Sequence, residues 1–329
     1  MPAGDRPSVS SDEYIVGTKE PEAMEKWTAA DTPSQVGRTA LVTGANSGLG
    51  SFTSLELARH GAHVIMGVRN KSRGDDALAR LKAELPNASV ELQLLDLADL
   101  DDVKALVSRF VSSRPSLDLL INNAGVMLPP RRATKQGFEL QFGVNHLGHF
   151  ALTLPLLPLI ERSTNGRVVA VSSAAHRSGR INFDDLQSER SYKAFRAYAQ
   201  SKIANVYFAL ELDRRLREAG SRVKSVLAHP GVAATNLASS LSPPLLGQIA
   251  TLLFPLIGQS PAHGALPTLY AATALDVQGG EFFGPAGIGE MRGSPRRVRP
   301  VPIATDTAIA ERLWEISEYL TGSKLEEPT

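Results

Sequence analysis

Tyr198 and Lys202 stand four residues apart in a stretch of helical patterning, Tyr198-Ala199-Gln200-Ser201-Lys202. Positions i and i+4 stack on one helix face, so phenol and ammonium lie side by side. A positive charge favours phenolate and draws a phenol below its ordinary pKa of about 10. Such a pair can give and take a proton, which is general acid–base chemistry. A surface helix with a snorkelling lysine and a half-buried tyrosine would show the same spacing. The company of the pair favours chemistry. An apolar run ends at Val171-Ser172-Ser173 and puts hydroxyls at a strand's carboxyl end, where open α/β sheets bind ligands. Asn145, in Phe142-Gly143-Val144-Asn145-His146, adds an amide from the preceding helical stretch.

A second set of residues suits a dinucleotide. Thr43-Gly44-Ala45-Asn46-Ser47-Gly48-Leu49-Gly50 lies between an apolar run and a helical one. Its glycines, spaced Gly-x-x-x-Gly-x-Gly, let the chain turn tightly and let a pyrophosphate approach the backbone. The helix N-terminus then faces the negative charge. A ligand-free tight turn would also use glycines, but the strand before and helix after favour phosphate. Gly44, Asn46, Ser47, Gly48, Leu49 and Gly50 are therefore candidate cofactor contacts. The next apolar run ends Gly67-Val68-Arg69-Asn70-Lys71. NAD enzymes usually place an acidic residue here for the ribose hydroxyls. Arg69 stands there instead, backed by Lys71 and Arg73, and suits a 2′-phosphate; the bland alternative is a solvated basic turn. After the third run, Asp96-Leu97 offers a carboxylate either to the adenine amino group or as a cap for a helix near Leu100. Asn122-Asn123-Ala124-Gly125 ends the fourth run, and its amides and small residues suit a backbone packed on a nucleotide.

The elements that position these residues follow from periodicity. Apolar runs at Thr39–Val42, His63–Gly67, Val90–Leu94, Leu117–Ile121, Val168–Val171 and Val223–Leu227 look like strands buried on both faces. Helical patterns near 49–60, 72–85, 100–113, 137–160 and 194–219 alternate with them. That rhythm predicts an α/β, Rossmann-type, doubly wound parallel sheet in one domain. Residues 1–36 read as a polar tail, pinned locally by Trp27. With 35 basic against 34 acidic residues the chain has no basic excess, which argues against nucleic acid as a partner. It has no cysteine, hence no disulfide, and the stretch from Met1 to Val16, with no apolar run, is not expected to be a secretory signal. The four histidines 146, 149, 176 and 229 are scattered and read as core residues; no metal site is predicted. From Leu241 to Gly258 the chain is uncharged, but Pro243, Pro244 and Pro255 break it. A buried or cleft-lining helix is preferred there to a membrane span.

The chain resembles the short-chain dehydrogenase/reductase superfamily, and within it the retinol dehydrogenase-like group and its bacterial relatives. The matching motifs are TGANSGLG at 43–50, NNAG at 122–125, VNHLGHF at 144–150, VVAVSSAAH at 168–176, AYAQSKIANVYF at 197–208 and HPGVAAT at 229–235. The resemblance implies that Tyr198 is the acid or base, and that Lys202 lowers its pKa and binds the nicotinamide ribose. Ser173, rather than Ser172, would orient the carbonyl. Asn145 would hold a water linking Lys202 to solvent. It adds Pro230, Gly231, Val232 and Thr235 as cofactor contacts, Thr235 at the carboxamide, and makes Arg69 the NADP-selecting residue. A catalytic domain over 37–321 is expected, with a substrate lid at about 236–262 and a C-terminal tail at 322–329. The expected activity is NADP(H)-dependent interconversion of a lipophilic carbonyl and its alcohol. Reduction of a polarised C=C bond and a non-catalytic cofactor sensor are the alternatives. The expected setting is cytoplasmic, without a transmembrane span, with room for a peripheral membrane contact and a homodimer. The Arg-rich loop 296–299 receives no role.

Overall fold

A computed structural model describes residues 26–231 and 259–325. Its framework is the alternation of β1 (Thr39–Thr43), α1 (Gly48–Arg59), β2 (His63–Val68), α2 (Lys71–Glu84), β3 (Val90–Leu94), α3 (Leu100–Ser113) and β4 (Leu119–Asn122). It continues with α4 (Gly148–Glu161), β5 (Arg167–Val171), α5 (Ala194–Glu218) and β6 (Lys224–Ala228). Then come α6 (Pro261–Thr273), β7 (Phe282–Pro285), β8 (Pro295–Val298) and α7 (Thr307–Thr321). The strands form one sheet in the order β3-β2-β1-β4-β5-β6-β7-β8. All neighbours are parallel except β7 and β8. β1 pairs Ala40–Val42 with both Val64–Met66 and Leu119–Ile121, so the chain leaves β1 in opposite directions on its two sides. That switch point opens a crevice at the carboxyl ends of the strands.

Alternate strand residues feed two cores. Leu41, Ile65, Leu120 and Val168 pack with α3, α4, α5 and α7. Ala40, Val64, Ile121 and Val169 pack with α1, α2 and α6. Central strands covered on both faces must be apolar throughout, which is why they read as runs rather than alternations.

Several boundaries differ from the sequence expectation. The helix expected from Gly137 begins only at Leu140, because Gly137 has φ +88° and Ala133 bridges Glu139. The Glu139 carboxylate accepts from the Gln141 and Phe142 amides and caps a short helical turn, Leu140–Phe142. A π-helical turn, Gly143–Leu147, then leads into α4. The Arg-rich "loop" is mostly strand: Arg296, Arg297 and Val298 lie in β8, an edge that the two arginine charges protect from further pairing. Arg297 bonds Glu281 at 2.6 Å and Asp276 at 2.8 Å. Of residues 1–36, the described part packs on the domain. Trp27 meets Tyr270 edge-on at 5.2 Å between ring centroids, and Thr32 and Gln35 are buried. At the other end Gly322 caps α7 in the left-handed region and Leu325 packs on the core. Among the described residues no helix is long and apolar enough to cross a membrane. The uncharged span 241–258 lies outside the described residues.

Candidate active site

The glycine turn is shaped by contacts that leave no room for side chains. Gly44 has φ +67°, and a Cβ there would sit 2.9 Å from the Cα of Ala124. A Cβ on Gly50 would strike the Gly44 carbonyl and the Asn123 amide. The turn is tied to β2 by Gly44 N–H donating to the Gly67 carbonyl at 2.8 Å. Ser47 precedes α1 without a side-chain cap bond, so its hydroxyl does not cover the helix N-terminus.

Around this turn lies a cleft of about 280 Å³. The sequence-predicted residues Gly44, Asn46, Ser47, Gly48, Leu49, Gly50, Arg69, Asp96, Leu97, Asn123, Ala124 and Gly125 all line it, with Thr43, Gly67, Leu95, Val126 and Val144. Lys71 is paired with Asp75 at 2.7 Å, which leaves Arg69 as the cation on the cleft wall after β2. Of the two roles considered for Asp96, the helix cap belongs to Asp99, whose side chain accepts from the Asp101 amide at the start of α3. Asp96 instead accepts from Ala98 N–H at 2.9 Å and stays at the cleft.

The reacting residues come together where this cleft ends. Gly125 is the join: a Cβ on it would lie 3.2 Å from Asn145 Oδ1 and 3.5 Å from Lys202 Nζ. Tyr198 and Lys202 are both buried on α5. The Lys202 ammonium lies 5.7 Å from the Tyr198 ring centroid and donates to the Val171 carbonyl at 3.2 Å. Burial lowers its pKa to about 8. Burial raises the Tyr198 phenol, and the nearby Ser173 hydroxyl opposes that only in part. This corrects the expectation that the lysine charge would dominate: in this structure desolvation wins. Ser172 Oγ donates to the Lys202 carbonyl at 2.8 Å, so the two serines divide roles: Ser172 holds α5 and Ser173 stands on the phenol's side.

Asn145 sits in the π-helical turn, an insertion frequent at functional sites. Its side chain is fully used. Oδ1 accepts from Val126 N–H at 2.8 Å, and Nδ2 donates to the Val126 carbonyl and Ser201 Oγ. Its carbonyl is 3.1 Å from His149 Nδ1. A carbonyl only accepts, so Nδ1 carries the ring proton. Nε2 then accepts from Thr43 Oγ1 at 2.9 Å. The lone pairs of that hydroxyl take the Asn123 and Ala124 amides, each at 2.9 Å. Burial lowers the His149 pKa to about 4, in keeping with a neutral ring. Sequence reasoning placed His149 in the core and passed over Thr43. The positional signal for both was present, since each falls inside a quoted motif.

Outside the residues that line the cleft, Pro230 and Gly231 follow β6 at the same edge of the sheet. His229 Nδ1 accepts from Gly231 N–H at 3.2 Å and Gln259 Nε2 donates to the Pro230 carbonyl at 2.7 Å. Val232, Thr235 and most of the expected lid, 236–258, lie outside the described residues.

Comparison with known proteins identifies the family. The family profile described as short chain dehydrogenase matches residues 38–245. Retinol dehydrogenase 14 of Mus musculus is 43% identical over 302 residues, covering 87% of this chain and 86% of the relative. Retinol dehydrogenase 13 of Homo sapiens is 41% identical over 304 residues, covering 89% and 86%. A crystal structure of an uncharacterized protein from Mycobacterium paratuberculosis superposes with a TM-score of 0.75 at 42% identity, covering 92% of this chain and all of that one. A short chain dehydrogenase from Shigella flexneri, solved in complex with NADP, gives a TM-score of 0.61 at 25% identity, covering 76% and 98%. The chain belongs to the short-chain dehydrogenase/reductase superfamily of oxidoreductases, in its retinol dehydrogenase-like group.

Proposed function

We propose that the protein is an NADP(H)-dependent oxidoreductase that interconverts a lipophilic carbonyl and its alcohol, with Tyr198 as acid and base. The observation that carries this reading is the junction at Gly125. There a glycine-shaped cleft for a dinucleotide meets the Asn145 amide and the buried Lys202 ammonium, which stands beside the buried Tyr198 phenol. The nicotinamide would supply or accept hydride; everything else falls to side chains of this chain. Gly44, Gly48 and Gly50 leave space for a pyrophosphate at the N-terminus of α1. Arg69 would meet a 2′-phosphate, and Asp96 the adenine amino group. Ser173 would donate to the carbonyl oxygen, and Tyr198 would deliver the proton that the oxygen gains on reduction. Lys202, buried beside the phenol, would stabilise phenolate after that transfer. Asn145 fixes the Val126 backbone beside it.

Preference for NADP rests on Arg69 on the cleft wall and on the NADP complex of the Shigella flexneri relative. A lipophilic substrate is supported by the chain between Lys224 and Asp276, which has no Asp, Glu, Lys or Arg, and by relatives named retinol dehydrogenases. An apolar cover penalises an unpaired ionic substrate. The test is NADPH oxidation with a series of n-alkyl aldehydes. Each added methylene contributes about 0.8 kcal/mol when fully buried, so kcat/KM should climb severalfold per carbon to a plateau. A flat series, or preference for small charged carbonyls, would overturn the lipophilic assignment. Absence of turnover with every aldehyde and ketone would overturn the carbonyl chemistry. Cytoplasmic placement belongs to the same proposal, and cell fractionation tests it.

A further inference from the structure

The turn that joins β7 to β8 packs against the end of β6 more closely than a surface hairpin needs to. Gly231 has φ +64°, and a Cβ on it would collide with the Met291 carbonyl and lie 2.8 Å from the Glu290 carbonyl. Glu290 is itself in the left-handed region, φ +58°, where a non-glycine residue is held by its surroundings. Its side chain is only 14% exposed. One carboxylate oxygen takes two partners: His229 Nε2 at 2.8 Å and Arg177 Nη2 at 2.6 Å. Arg177 also donates to the Gly289 carbonyl at 3.2 Å. A second brace runs through Gln259, which donates to the Pro230 carbonyl and accepts from Gly293 N–H at 3.2 Å.

The hydrogen bonds fix the direction of this chain. Gly231 N–H can only donate, so His229 Nδ1 is the acceptor and the ring proton is on Nε2. Nε2–H therefore donates to Glu290. Without that carboxylate, the other tautomer would turn Nδ1–H against Gly231 N–H. Arg177 connects the same carboxylate to the turn that begins at Ser173, where His176 Nδ1 donates to the Ser173 carbonyl at 2.7 Å.

We infer that Glu290 is a positioning residue for the nicotinamide half of the cleft: it holds Pro230–Gly231 through His229 and ties that turn to the Ser173 turn through Arg177. This rests on the proposed cofactor reading. In the sheet order, the glycine turn, Arg69 and Asp96 stand at the ends of β1, β2 and β3. Ser173 and His229–Gly231 stand at the ends of β5 and β6, on the opposite side of the switch point. Glu290 can thus act on one half of a dinucleotide and leave the other alone.

Calorimetric titration with NADPH and with 2′-phospho-ADP-ribose, which lacks the nicotinamide, separates the two halves. Losing a charge-assisted brace in Glu290→Ala should weaken NADPH by about tenfold, with the nicotinamide-free ligand changed less than about twofold. Glu290→Gln keeps an oxygen for His229 Nε2–H and loses the charge facing Arg177, so it should recover part of the NADPH affinity. Equal loss of both ligands in either variant, or no loss of NADPH, would overturn the positioning role. A wild-type protein that binds neither ligand would overturn the cofactor reading itself, and the inference with it.

Discussion

Replacing Tyr198 with phenylalanine keeps a ring in a buried site and removes one proton. If the phenol is the acid, turnover should fall by on the order of 10² to 10⁴, while NADPH affinity stays near that of the wild type. Steady-state kinetics with the best aldehyde, beside calorimetry, reads both quantities; near-full activity would exclude Tyr198. Arg69 makes a different demand. It lines the cleft from an exposed position after β2, and Lys71 is engaged with Asp75. Losing a charge-assisted phosphate contact costs about one to two decades in affinity. Arg69→Asp should therefore weaken NADPH far more than NADH. Equal affinities of the wild type for the two cofactors would show Arg69 to be a solvated surface residue.

At the scale of elements, two glycines beside helices do different work. Gly50 lies in the first turn of α1, and any Cβ there meets the Gly44 carbonyl and the Asn123 amide. Gly50→Ala should deform the turn and weaken NADPH by at least about tenfold, since it moves backbone that would line the pyrophosphate. Gly220 follows α5 with φ +68° and has open space around it. Gly220→Ala should cost about 1 kcal/mol of stability through backbone strain alone and leave cofactor affinity unchanged. Denaturant unfolding and calorimetry on both variants give a crossed pattern; the same loss of affinity in both would show that the glycine turn is not the binding element. The π-helical turn belongs to this scale too. It frees the alignment of Asn145 with Val126 and Ser201 from the regular i+4 ladder of α4.

The whole molecule carries an acid sensitivity that follows from its packing. His146, His149 and His176 are buried, and desolvation lowers them to about 3, 4 and 4. Their ordinary value is about 6.5, which the unfolded chain should show. Between pH 6.5 and 4 the unfolded chain binds protons that the folded chain refuses. Stability is then lost as pH falls through that window, by up to about 1.4 kcal/mol per pH unit for each histidine. Urea unfolding from pH 7 to pH 4 should show a falling midpoint and an uptake approaching three protons on unfolding. His149→Asn should reduce that uptake by about one. A midpoint independent of pH over this range would show that these rings titrate equally in both states.

Composition and order determined the fold class. Strands buried on both faces have to be apolar runs, and β1, β2, β4, β5 and β6 were readable from them to within a residue or two; β3 was found at its bounds too, but it is an edge strand whose Glu91 and Gln93 break the run and whose residues are only partly buried. The motif residues along one sheet edge were readable for a related reason: a parallel α/β sheet brings every βα turn to the same side. Tertiary structure decided what depends on contacts between distant segments. β7 and β8 carry four residues each and gain their identity by pairing, β7 with β6 and β8 with β7. The Tyr198 pKa depends on burial, which spacing along a helix does not report. Glu290 meets His229 and Arg177 across 61 and 113 positions of sequence, and Thr43 meets His149 across 106. No local pattern encodes such pairings, because a single carboxylate or hydroxyl acquires its partner only when the strands that carry the two chains are laid side by side.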